Sequence, residues 1–66
     1  MRDRRYMIQE LFIRVCRDSG FTLDAARAAG VAAIAFGCHP LEVWMAMPSL
    51  DVMNEIAAGK HPAARS

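Results

Sequence analysis

The sequence predicts an all-α fold, a compact bundle of four or five short helices with an Ala-rich central helix. Three observations predict it. Apolar residues of the first segment recur at spacings of three and four, the middle of the chain is an alanine run, and no stretch alternates like a strand between hairpin signals. With 66 residues the chain has room for one small domain. Residues 1–59 read as that helical domain, and 60–66 (KHPAARS), which shows no periodicity, as a flexible C-terminal tail.

Asp3 to about Asp18 forms the first helix. Ile8, Leu11, Phe12 and Val15 share one face, widened by Tyr6, Met7, Ile13 and Cys16, while Arg5, Gln9, Arg14 and Arg17 take the other. Asp3 sits near the start, where a negative charge suits the helix dipole. Gly20 ends the helix in a left-handed conformation. Thr22 is the expected N-cap of a second helix running from Leu23 to Phe36, with Asp24 in its first turn and Phe21 as a hydrophobic staple over Ala26. Arg27 is the only charge after Asp24, so this helix is the expected buried hub. Gly30 costs about 1 kcal/mol against Ala in a helix interior. It implies a close helix contact, helped by small residues at 26 and 33, or a break between two short helices.

Gly37 stops the central helix. His39 precedes Pro40 and is pushed out of helical geometry, and Pro40 opens a third helix reaching Met47. Pro48 ends it and Ser49 caps a fourth, with Asp51 in the first turn. Val52, Met53 and Ile56 form the apolar side of the fourth helix, Asn54 and Glu55 face outward, and Gly59 closes it.

Composition narrows function by exclusion. A domain this small buries only about 60% of its unfolded surface and has no room for a dinucleotide-binding fold or a deep catalytic pocket. Eight Lys and Arg against seven Asp and Glu give a net charge of +1, with no excess that points to an acidic or basic partner. Two cysteines, Cys16 and Cys38, are too few for a disulfide scaffold and read as free thiols among apolar neighbours. MRDRRYMIQE carries charges without an apolar stretch behind them, so no signal peptide is expected and the setting read is cytoplasmic. The longest uncharged stretch, Ala28 to Leu41, falls short of the roughly 20 apolar residues of a spanning helix.

Chemistry-bearing residues are sparse. Cys16, Cys38, His39 and His61 are the possible metal ligands, yet only Cys38 and His39 are close in sequence, whereas structural zinc sites use paired ligands at short spacing. Cys38 and His39 also fail as a nucleophile and base, because neighbours in sequence rarely point at each other and no third orienting residue follows. Asp51 and Glu55, four apart, read as a solvated helix face. No metal, cofactor, small-molecule substrate or catalysis is expected.

Between Ala33 and Met47 the string AIAFGCHPLEVWMAM places a small residue on one helix, Gly37 in a turn, and Val43 and Met47 on the next. This resembles a helix-turn-helix unit. The resemblance implies DNA reading by the second helix, with Arg4, Arg5, Arg14 and Arg17 as phosphate contacts. That helix, however, offers Leu41, Glu42, Trp44 and Met45 where base readers carry polar or basic side chains. Residues 37–59, with Gly37, Pro40, Trp44, Met47, Pro48, Asp51 and Ile56, resemble the short helical segments of phage tail assembly chaperones. That likeness implies a phage or mobile-element protein that binds other proteins.

The function expected is therefore a small non-catalytic protein–protein interaction module, an adaptor, chaperone or inhibitor. Its candidate surface is Leu41, Glu42, Trp44, Met45, Leu50 and Met53, with Trp44 as anchor, the methionines as adaptable contacts and Glu42 as a rim charge. The partner is another protein or a second copy in a homodimer; no membrane is expected. The alternative is a DNA-binding regulator.

Overall fold

A computed structural model describes residues 3–65; the domain and tail boundaries at 1 and 66, and the basic residue Arg2, lie outside the described residues. The chain is all-helical there: α1 (Arg4–Asp18), α2 (Ala25–Phe36), α3 (Pro40–Ala46), α4 (Leu50–Ala57) and the one-turn α5 (Pro62–Arg65). Each start has a side-chain cap. Asp3 accepts from the Arg5 N–H, Asp24 from Arg27, His39 Nδ1 from Leu41 and Ser49 Oγ from Val52. These acceptors satisfy amide donors that have no partner inside the first turn.

Two expectations for the α1–α2 connection change. Asp24 caps α2 and Thr22 does not: the Thr22 hydroxyl donates backward to the Ser19 carbonyl, and the helix begins at Ala25. Phe21 is no staple over Ala26 either. It takes a left-handed backbone, φ 60°, and its ring lies against Gly59 at the far end of α4. A carboxylate two residues into the expected helix outcompeted the hydroxyl, because the chain turns again at Phe21.

α2 packs on α1, α3 and α4 through Ala25, Ala28, Ala29, Ala32 and Ala33, all buried. Small side chains let these helices approach closely while larger ones fill the space between: Ile8, Phe12 and Cys16 from α1, Val43 from α3, Met53 and Ile56 from α4. Gly30 fulfils neither expectation. Helix α2 runs through it unbroken, and a Cβ built there would meet nothing within 4 Å. Nor is Ala26, which is exposed, part of the close-packed face.

The segment after Gly59 is also different from the expected flexible tail. His61 Nδ1 accepts from the Ala63 N–H, Pro62 opens one helical turn, and α5 packs on α1 and α4 with Ala64 4% exposed. Four residues cannot display a helical period, so this turn is set by its contacts and its capping histidine.

A candidate protein-interaction face on α3 and α4

Helix α3 is two turns long, and its neighbours decide which sides are covered. At 100° per residue, Val43 and Ala46 fall together and are buried, whereas Leu41 and Met45 fall one turn apart on the opposite side. Leu41 is 58% and Met45 71% exposed, and Leu50, in the first turn of α4, is 57% exposed. Trp44, half-buried, is packed against the core edge. Met53 is a core residue at 1% exposure and is no part of any surface; α4 turns it inward with Ile56. Of the six residues expected to form the face, the structure leaves Leu41, Met45 and Leu50 open, with Trp44 partly buried.

Glu42 does not stand alone on the rim. Its carboxylate takes a two-pronged contact from Arg4, whose Nε reaches Oε2 and whose Nη2 lies 3.1 Å from Oε1. Hydrogen bonding to Arg4 holds the Glu42 carboxyl below its ordinary value, and the carboxylate in turn raises the guanidinium. The Arg4 guanidinium carbon also sits 4.8 Å from the centre of the Phe36 ring. Arg5 Nε donates to the Ala46 carbonyl at 3.1 Å, and Gln9 Nε2 donates to the same oxygen at 2.6 Å. Two α1 side chains thereby satisfy the last carbonyl of α3, beside a shallow groove of about 310 Å³ lined by Asp3, Arg4, Arg5, Ile8, Glu42, Met45 and Ala46.

The four arginines of the DNA alternative do not share one groove, although Arg4 stacks on Phe36 and Arg14 and Arg17 line a groove that includes it. Arg4 and Arg5 line that groove beside α3 and are engaged within the chain. Arg14 and Arg17 line a second groove, about 600 Å³, with Met7, Glu10, Leu11, Asp18 and Phe36. Nine residues separate Arg5 from Arg14, which puts them about 180° apart around the helix. The α2–α3 pair does bend by 108° across the three residues 37–39, inside the 90–120° of helix-turn-helix pairs.

The remaining chemistry is quiet. Cys16 and Cys38 are free thiols, and burial pushes Cys16 up to about 11. Among the described residues no group of three or more His, Cys, Asp or Glu could hold a metal. Among the described residues no single helix is long and apolar enough to cross a membrane; α2 and α3 pass that test only as a bent pair.

Sequence reasoning missed one surface altogether. The inner side of α2 is the expected hub, but its outer side carries Val31 and Ile34 in the open, Ile34 at 84% exposure. Both fall out of phase with the buried alanines, and that phase was readable in the sequence. A scan against protein-family models finds no match, and neither do searches of curated proteins and of solved structures.

Proposed function

We propose that this chain is a small non-catalytic protein–protein interaction module whose contact face is Leu41 and Met45 on α3 with Leu50 on α4. The observation that carries the reading is the pair Leu41 and Met45, which stand one turn apart and more than half exposed on a helix whose other side is core. Short helices in a 66-residue chain cannot enclose all of its large apolar residues, so some are left to meet a partner or a second copy. Methionine adapts to irregular partner surfaces and leucine supplies apolar area. Trp44 contributes an edge of the face and supports it from below. The Arg4–Glu42 pair fixes a charge of each sign on the rim, where it favours orientation more than affinity.

The second reading, DNA binding, is favoured by the 108° bend between α2 and α3. Against it stand the apolar residues on the outer side of α3 and the engagement of Arg4 and Arg5 within the chain.

One comparison tests the proposal. Immobilised wild-type protein and the Leu41→Ser/Met45→Ser variant are exposed to proteins of the source cells, with circular dichroism verifying equal helicity. Specific capture by the wild type that the variant loses is the expected result. Equal capture by both removes the α3 face. Duplex binding by fluorescence anisotropy that weakens steeply with salt and is lost in Arg14→Gln/Arg17→Gln moves the assignment to DNA.

A further inference from the structure

Apart from Arg27, helix α2 is apolar on every side, a pattern that belongs to a helix covered nearly all round. This chain covers only half of it. The outer side presents Arg27, Gly30, Val31 and Ile34, with Ile34 the most exposed of the large apolar residues. Gly30 lies in the middle, and within the chain nothing uses the space its missing Cβ leaves.

The two ends of this side are complementary to each other. Near the N-terminal end stands Arg27; among the described residues no side chain pairs with its guanidinium. At the C-terminal end the carbonyls of Ile34, Ala35 and Phe36 accept from no described residue, because Gly37 and Cys38 both donate to Ala33. The last turn contains no basic side chain of its own, and the Arg4 guanidinium that lies 4.8 Å from the centre of the Phe36 ring is paired with Glu42. A helix C-terminus carries partial negative charge and favours a cation. Side chains on a helix lean toward its N-terminus, so Arg27 reaches away from its own C-terminal turn.

An antiparallel second copy brings these halves together twice. With two α2 helices crossed at Gly30, residue 27 of one lies beside residue 33 of the other. Each Arg27 then leans over the other's open carbonyls, and each Ile34 covers the region of the other's Ala26. The absent Cβ at Gly30 lets the backbones approach at the crossing, and the antiparallel helix dipoles oppose each other favourably. Such a contact is two-fold and closes on itself. We propose that the chain forms a symmetric homodimer through the outer side of α2, with Gly30 at the crossing and Arg27 over the partner helix's C-terminal turn. This goes beyond the α3 reading and does not depend on it; each dimer would carry two copies of the α3 face.

Sedimentation equilibrium on wild type, Ile34→Glu, Arg27→Glu and Leu41→Ser/Met45→Ser tests it, with circular dichroism on each. All four changes are at exposed or solvent-facing positions, so the fold is retained. The expected result is a wild-type dimer that survives the α3 double substitution. Ile34→Glu should weaken it by about a hundredfold or more, since each dimer loses two buried isoleucines at about tenfold or more apiece. Arg27→Glu should weaken it too, by placing an anion against each helix C-terminus. A wild type that stays monomeric at millimolar concentration overturns the proposal. So does a dimer indifferent to Ile34→Glu, and one broken only by the α3 substitutions, which would place the second copy on that face.

Discussion

Gly20 and Gly59 share a left-handed backbone, φ 65° and 75°, but differ in what surrounds them. A Cβ at Gly20 would meet nothing within 4 Å, whereas one at Gly59 would lie 3.1 Å from Cγ and 3.2 Å from Cδ2 of Phe21. Alanine at either site carries the left-handed cost of about 1–2 kcal/mol, offset in part by about 0.4–1 kcal/mol of lost unfolded-state freedom. Gly20→Ala should therefore lose about 1 kcal/mol. Gly59→Ala adds crowding against a ring packed on the core, and overpacking costs about 1–3 kcal/mol, for a total of about 2–4 kcal/mol. The ring has little freedom to retreat, since Phe21 itself sits at φ 60° with its N–H bonded to the Cys16 carbonyl. Urea unfolding followed by circular dichroism at dilute concentration measures both variants. In a Phe21→Ala background the extra loss at Gly59 should vanish, which makes the cycle informative even where Gly59→Ala alone is close to unfolded. Equal losses for Gly20→Ala and Gly59→Ala in the parent chain would refute the reasoning, because the ring contact would then carry no energy.

Three further outcomes are expected. Gly30→Ala, in open space within an unbroken helix, should raise the stability of the dilute protein by about 0.5–1 kcal/mol in the same urea assay. A thiol reagent at mildly alkaline pH should label half-buried Cys38 at once and Cys16 only at the rate of unfolding, given its burial and its value near 11; a single fast phase of two thiols would contradict this. Glu42, followed by NMR, should titrate below its ordinary value and return to it in Arg4→Gln. A carboxyl held low stabilises above its unfolded value and loses that contribution as pH falls through the folded one, so the Arg4 link should be felt at neutral pH and fade in acid.

Much of the architecture was legible because its signals are local. Asp3, Ser49, Pro40, Gly37 and Pro48 act within one turn of where they stand, and the helix ends fall beside them. Thr22 failed because Asp24, expected in the first turn, takes the cap position itself, and the left-handed Phe21 between α1 and α2 has no mark in the sequence. The α5 turn was invisible for want of length. On the candidate face, residue type pointed to α3 but could not divide it. Helix α3 is apolar on nearly every side, so burial of Val43 and exposure of Met45 follow from where α1 and α2 lie. Met53 illustrates the same limit: methionine suits a core as well as a contact surface.

The paired donation from Arg5 and Gln9 to the Ala46 carbonyl links residues 41 and 37 positions apart. A helix of seven residues is far below the length that persists alone in water, and this one ends on side chains from α1. Helix α3 consequently depends on its contacts with α1, and an isolated peptide spanning it should be a coil. Any molecule that grips Leu41 and Met45 thus selects the folded population as a whole, and raises the global unfolding free energy with the logarithm of its concentration over its dissociation constant. Recognition at this face would act as a folding sensor, blind to nascent or unravelled chains.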